Sequence, residues 1–318
     1  QALAKKQGKT INREIDPEKE IVVTCGGTEA MMCAMMTICN PGDKVMVFSP
    51  FYENYGADAI LSGADPIYIP LIPPEYEFDI NLIEQGFRDG AKAIIICNPS
   101  NPCGKVFRED ELLAIGKLAL KYDAFVVTDE VYEHMVYEPN KHICMASLPG
   151  MYEHTITCNS LSKTYSITGW RLGYICGPSV IIEQMLKIHQ FAIMCAPTNS
   201  QYAAIEGLRH CEDEVQQMRN AYNQRRRYLV NEFAKMKLEC FEPFGAFYIF
   251  PSIKEFGMTS EEFAMRFLEE EKVAVVPGSA FGESGEGFLR VSYAYSLEDL
   301  KEAIGRLSRF VERLRSQK

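Results

Sequence analysis

In the stretch Asn159-Ser160-Leu161-Ser162-Lys163-Thr164, a lysine sits between two small hydroxyl residues, and eight positions on comes Arg171 within Gly169-Trp170-Arg171. A lysine held out of water loses part of its preference for the charged form, and the free amine then attacks carbonyl carbon to form a Schiff base. Ser160 and Arg171, one on each side of it, offer a hydroxyl and a guanidinium, the groups that hold an anion such as phosphate. A solvated loop lysine is the ordinary alternative, and it describes most lysines. Here it competes with the only tryptophan of the chain and with the glycines and arginine gathered around it.

Three further places carry compatible chemistry. Asp129 ends the apolar run Ala124-Phe125-Val126-Val127-Thr128. A carboxylate at a buried strand end needs a cation beside it. A protonated ring nitrogen on a ligand would serve, with a helix cap or a structural ion pair as the plainer use. Tyr132, three residues on, reaches the same ligand if the segment turns. Tyr52 follows the run 44–48, where an aromatic ring stacks on a flat heterocycle or simply packs. Arg290 lies among apolar neighbours in Gly287-Phe288-Leu289-Arg290-Val291-Ser292-Tyr293, where it either grips a carboxylate with both prongs of its fork or closes a structural salt bridge.

These residues need a scaffold, and the chain supplies signals for one. Residues 21–25 form a β-branched run that enters Gly26-Gly27-Thr28-Glu29-Ala30. A helical apolar pattern through Met31, Met32, Met35 and Met36 follows, stopped by Asn40-Pro41-Gly42-Asp43. Strand, glycine turn and helix start leave free N–H groups at the positive end of the helix dipole, an anion cradle. The methionine stripe itself reads as core. Strands are expected at 44–48, 67–72, 93–97, 124–128 and 172–176, and a helix at 109–122. The run 93–97 does not alternate and so is expected to be covered on both faces. It leads into the turn cluster Asn98-Pro99-Ser100-Asn101-Pro102-Cys103-Gly104. Such alternation of strand and helix predicts a doubly wound α/β layer with ligands at the carboxyl ends of its strands.

Helices are expected at 179–194 and 198–236, the second leading out of the large layer into a smaller α/β unit. That unit contains Phe244-Gly245-Ala246-Phe247-Tyr248 and strands at 273–276 and 287–293. It closes on an amphipathic helix capped by Ser296, with Asp299 at capping-box spacing and Leu300, Ile304, Leu307 and Leu314 on one face.

Composition narrows the function class. The 318 residues are 47% hydrophobic and 24% charged, with a net charge of −10, which suits one large and one smaller globular domain. The one basic run, Arg225-Arg226-Arg227, sits in a helical pattern beside acidic residues, so no nucleic-acid partner is expected. No apolar run reaches bilayer-spanning length, so no membrane partner is expected either. The 11 cysteines form no Cys-x-x-Cys pair, and Cys25, Cys97 and Cys176 lie in apolar runs, which fits a reduced cytoplasm. The five histidines lack metal-ligand spacing, so no metal site is expected.

Taken together, the glycine cradle, the aromatic, Asn98-Pro99-Ser100-Asn101-Pro102-Cys103-Gly104, Asp129 with Tyr132, Ser160 with Lys163, Gly169-Trp170-Arg171 and the late Arg290-Val291-Ser292 stand in one order. That order resembles the class I/II, fold-type I pyridoxal-phosphate aminotransferases over nearly the whole chain from Ile21 onward. Asp129-Glu130-Val131-Tyr132-Glu133-His134 and Val276-Pro277-Gly278-Ser279-Ala280-Phe281-Gly282 are most similar to the prokaryotic aromatic and aspartate branch.

The resemblance implies a mostly parallel central sheet with helices on both faces in a large cofactor-binding domain, residues 1–212, and a small C-terminal α/β domain, residues 213–318. It also implies a further family segment ahead of Gln1. Lys163 would bond pyridoxal 5'-phosphate covalently and shuttle the substrate's Cα proton, and Asp129 would keep the pyridine nitrogen protonated. Tyr132 and Asn101 would bond the phenolic oxygen, Asn101 aimed by a cis bond to Pro102, and Tyr52 would stack on the ring. The phosphate would sit among the Gly27, Thr28 and Glu29 backbone, Ser160 and Arg171. Asn101 and Arg290 would meet the substrate, Arg290 at its α-carboxylate.

The implied reaction is ping-pong amino transfer from an L-amino acid to a 2-oxo acid, in a cytoplasmic homodimer. Aromatic donors with 2-oxoglutarate as acceptor are the expected pair. Some acidic-substrate members carry a lysine where Thr28 stands here, so aspartate is the lesser expectation. A β-lyase acting on cysteine conjugates, an aminocyclopropane-forming enzyme and the aminotransferase-like domain of a transcription regulator share these motifs and stay open.

Overall fold

The structure, a computed structural model, describes residues 1–317. The first two-thirds of the chain runs α1 (Ala2–Ile11), β1 (Ile21–Thr24), α2 (Gly27–Ile38), β2 (Lys44–Ser49), α3 (Asn54–Leu61), β3 (Asp65–Pro70), α4 (Ile80–Arg88), β4 (Ala91–Cys97), α5 (Glu109–Lys121), β5 (Phe125–Asp129), β6 (Thr155–Ser160), α6 (Leu161–Thr164), β7 (Gly173–Cys176) and α7 (Ser179–Ala192). Then come α8 (Thr198–His210), α9 (Glu212–Lys235), β8 (Tyr248–Ile249), α10 (Ser260–Glu271), β9 (Val276–Pro277), β10 (Leu289–Ser292) and α11 (Leu297–Ser316).

Seven strands form one sheet in the order β1-β7-β6-β5-β4-β2-β3, and β8-β10-β9 form a second, antiparallel sheet. In the large sheet only β7 runs against its neighbours, β1 and β6. Two reversals restore the direction, so β1 points the same way as β6, β5, β4 and β2. Their carboxyl ends therefore open on one edge, and β7 starts there.

Both faces of this sheet are covered, as the unalternating run predicts. Val45, Val47, Ala93, Ile95 and Val127 pack with α2, α3 and α7 on one side. Their immediate neighbours Met46, Phe48, Ile94, Ile96 and Val126 pack with α4 and α5 on the other. In the methionine stripe Met31 and Met35 are core, whereas Met36 is exposed. A separate apolar cluster unites α9, α10 and α11 with β8 and β10, and Tyr132, Met135 and Tyr137 reach into it from beyond β5.

The single helix expected over 198–236 is two helices, broken at Cys211 (φ −108°, ψ 30°). The charges explain the break. Arg209 and His210 close α8 where cations suit the negative dipole end, and Glu212, Asp213 and Glu214 open α9 where anions suit the positive end. The strand expected at 273–276 is reduced to Val276–Pro277. Ser296 caps α11 by accepting the Asp299 N–H, and Leu300, Ile304, Leu307 and Leu314 are buried as expected.

Candidate active site

The common edge of β1, β2, β4, β5 and β6 surrounds a cavity of about 340 Å³ lined by Gly27, Thr28, Tyr52, Asn101, Asp129, Tyr132, Ser160, Lys163, Arg171 and Arg290. That volume is enough for a cofactor-sized ligand. Glu29 alone of the sequence-expected residues is absent from the lining.

One end of the cavity is a cradle of donors. Register places Thr24, Gly173 and Ser160 side by side across three strands. Gly26 turns with φ +87°, and α2 begins at the next residue. Its first N–H groups have no partner within the helix. A Cβ on Gly26 would lie 2.4 Å from Arg171 Nη2, so the guanidinium rests directly against the turn. Arg171 also donates to the Thr168 carbonyl (3.0 Å) and the Cys25 carbonyl (3.4 Å). Ser160 Oγ accepts the Ser162 N–H (3.1 Å) and lies 2.8 Å from Ser162 Oγ. Helix N–H groups, two hydroxyls and a guanidinium with no carboxylate partner among the described residues make a phosphate-type site.

Deeper in, Asp129 accepts the Tyr55 hydroxyl (2.8 Å) and the Val131 N–H (3.2 Å). No cationic side chain pairs with it among the described residues. Burial raises its pKa above the ordinary carboxyl value, against the pull of Tyr55 and Val131. A buried acid kept from its natural counter-charge fits a ligand that brings a cation. Lys163, in the short α6, points its Nζ to within 5.8 Å of the Phe247 ring centre. Desolvation first, then Arg171 and Arg290, lower its pKa, and Asp129 opposes them. The amine is thereby freed at lower pH, the condition for nucleophilic use.

Tyr52 packs edge-on to Tyr55 (5.8 Å, 75°) at the cavity wall. The Tyr132 hydroxyl is bonded to that of Tyr248 (3.3 Å). The Asn101–Pro102 bond is cis, and Asn101 Oδ1 accepts from Arg290 Nη1 (2.9 Å). The Arg290 guanidinium is held between the rings of Tyr248 (4.5 Å) and Phe281 (4.6 Å) and forms no ion pair among the described residues. The salt-bridge alternative is not realised, and the fork remains available to a ligand carboxylate.

Three lining residues whose side chains touch these groups carry no role assigned from the sequence: Tyr55, Ser162 and Tyr248. Helical spacing from Tyr52 is the available signal for Tyr55, and the alternation Ser160-Leu161-Ser162 for Ser162. Tyr248 stands in the sequence only as the end of the run from Phe244. Outside the cavity, Glu130, Glu133 and His142 bring ligand-type atoms within 4.8 Å of one another. Their bonds are already committed, Glu130 to His142 (3.0 Å) and Glu133 to Lys6 and to Asn159 (2.7 Å).

Arg290→Lys should keep the charge and lose the planar fork. A lost charge-assisted bond is worth about 1.5–3 kcal/mol, so kcat/KM should fall about one to two decades while the cofactor band persists. Steady-state kinetics beside the absorption spectrum check this, and a bleached band with unchanged substrate kinetics would assign Arg290 to structure instead.

Comparison with known proteins agrees with this geometry. Residues 1–307 match the family model for aminotransferase class I and II. A putative aminotransferase of Bacillus subtilis (strain 168) is 43% identical over 298 residues, 93% of this chain and 77% of its own. An aspartate aminotransferase of Pyrococcus abyssi is 42% identical over 315 residues, 97% of this chain and 80% of its own. The crystal structure of an aromatic aminotransferase from Pyrococcus horikoshii OT3 superposes with a TM-score of 0.95 at 39% identity, covering 98% of this chain and 84% of that one. The match over residues 1–307 and the identity shared over more than nine-tenths of the chain show that the chain belongs to the class I and II aminotransferases, the pyridoxal-phosphate-dependent transaminases.

Proposed function

We propose that the cavity holds pyridoxal 5'-phosphate and that the chain transfers the amino group of an aromatic L-amino acid to a 2-oxo acid such as 2-oxoglutarate by ping-pong turnover. The observation that carries this reading is Arg290, bonded to Asn101 and clamped between two rings, with no carboxylate partner among the described residues.

The residues divide the work. Gly27, Thr28, Ser160 and Arg171 would hold the phosphate, with the backbone N–H of Glu29 beside the cradle. Asp129 would present its carboxylate to the ring nitrogen, Tyr132 and Asn101 would face the phenolic oxygen, and Tyr52 would cover the ring. When bound there, the cofactor supplies the electron sink that a Cα carbanion requires. Lys163 would hold the cofactor and, as general base, would take the substrate's Cα proton. Arg290 and Asn101 fix the substrate carboxylate and so orient the Cα–H bond.

Tyr52 and Tyr248 give the substrate end an aromatic wall. Beyond Lys163, Arg171 and Arg290, already assigned, no further cation lines the cavity among the described residues. An aromatic side chain suits that wall better than the second carboxylate of aspartate.

We further infer a homodimer. Val180 (71% exposed), Phe191 (89%), Met194 (76%) and Tyr202 (70%) crowd α7, α8 and the link between them, an apolar surface that a second copy would cover. We place the domain division at 212/213, one residue inside α9. Eleven unpaired cysteines support a reducing, cytoplasmic setting, and no helix of the described residues is long and apolar enough to cross a membrane.

A panel of amino donors assayed against one acceptor tests the substrate reading. Phenylalanine and tyrosine should exceed aspartate in kcat/KM by tenfold or more, about 1.4 kcal/mol of differential transition-state binding. A preference for aspartate overturns the aromatic choice, and ammonia release in place of amino exchange would mark a lyase.

A further inference from the structure

We propose that His189 is a positioning residue for the phosphate cradle, acting by drawing the Glu29 carboxylate out of it. The proposal rests on the cavity being the pyridoxal-phosphate site. Glu29 lies in the first turn of α2, directly after the cradle residues Gly27 and Thr28, yet it does not line the cavity. One carboxylate oxygen accepts the Cys25 N–H and the other meets His189 Nδ1 of α7 at 2.6 Å. Both side chains are nearly buried, 10% and 7% exposed.

This arrangement has a geometric and an electrostatic consequence. Cys25 is gripped at both backbone groups: Glu29 takes its N–H, and Arg171 Nη2 reaches its carbonyl at 3.4 Å. Gly26 follows at φ +87°, and α2 starts one residue later. The aim of the free N–H groups and the seat of the Arg171 guanidinium therefore both depend on where Cys25 is held.

A carboxylate in the first turn of a helix is also attracted to the same N–H groups and dipole end that bind an anion. Left free, Glu29 would compete with a phosphate dianion and repel it. His189 opposes this by fixing one oxygen on the far side, and its hydrogen bond keeps the carboxylate beside Cys25. The pair thus converts an acid at an anion site from a competitor into a brace.

The test compares ligands that differ only in the phosphate. Dissociation constants for pyridoxal 5'-phosphate and for pyridoxal are measured by absorbance on the cofactor-free full chain and its variants. His189→Leu should weaken pyridoxal 5'-phosphate about three- to thirty-fold, the range of a helix-end charge interaction, and leave pyridoxal unchanged. His189→Asn, whose amide nitrogen hangs from Cγ as Nδ1 does, should stay within about threefold of the parent, under 0.7 kcal/mol. Glu29→Gln combined with His189→Leu should recover most of the loss, because no carboxylate remains to compete.

Equal weakening of both ligands, or none for either, overturns the proposal. Should His189→Leu not fold, His189→Phe carries the same test, since it keeps a ring in that place and offers Glu29 no donor. If the parent protein binds neither ligand, the cavity reading falls, and the role of His189 falls with it.

Discussion

Lys163→Ala is expected to abolish turnover while leaving the fold intact. On the proposed reading Lys163 contributes chemistry rather than support, and its Nζ lies at the cavity, near the Phe247 ring. Desolvation, then Arg171 and Arg290, already disfavour its charged form in the folded chain. A base with a lowered folded pKa binds fewer protons folded than unfolded, so below its ordinary pKa it costs stability. Its removal should therefore leave the melting temperature at neutral pH equal or higher. A general base alone is worth about 10²–10⁴ in rate, and loss of the covalent tether adds to that, so kcat should drop about four decades or more. Borohydride treatment of the loaded parent, followed by peptide mass analysis, should place the cofactor's mass on the peptide containing Lys163. An adduct on another lysine, or residual turnover within tenfold of the parent, removes Lys163 from this role.

Asp129→Asn separates a catalytic carboxylate from a structural one. In the folded protein burial raises the Asp129 pKa, so the folded state holds its proton to higher pH than the unfolded chain does. By linkage, stability then falls as pH rises from the ordinary carboxyl range through the raised value, so above the ordinary range Asp129 is a net cost to the fold. Asparagine removes the charge and can keep both neighbours, its oxygen accepting the Val131 N–H and its amide donating to the Tyr55 hydroxyl. The cofactor-free variant should thus melt at the same temperature or higher. Turnover should move the other way. Breaking a buried charge pair with the ring nitrogen costs about 3–5 kcal/mol, or two to nearly four decades in kcat. Thermal melts of cofactor-free protein and single-turnover rates of loaded protein check the two halves. A lower melting temperature with near-normal turnover would make Asp129 a structural acid.

Much of this site is local in origin and legible in the order of the amino acids alone. Lys163, Asp129, Arg171 and the Gly26-Gly27 turn each sit where an apolar run meets polar or glycine residues, which is how a strand end at a ligand edge is written. The unalternating 93–97 run announces a strand buried on both faces, and it is one. Helix continuity is harder to read, because apolar periodicity runs through Cys211 and only the switch from Arg209-His210 to Glu212-Asp213-Glu214 marks the break.

What lies across the sequence is not legible there, because no local pattern encodes which distant groups will meet. β7 runs opposite to both neighbours, and that double reversal brings Thr24, Gly173 and Ser160 side by side to build the cradle. Tyr55 finds Asp129 across 74 positions, His189 finds Glu29 across 160, and Asn101 finds Arg290 across 189. Glu29 shows the difference most sharply. Its place in the first turn of a helix is a property of its neighbours in the chain. Whether its carboxylate enters the anion site or braces it from outside is decided by α7, because a buried charge goes to whichever partner the packing of distant helices puts within reach.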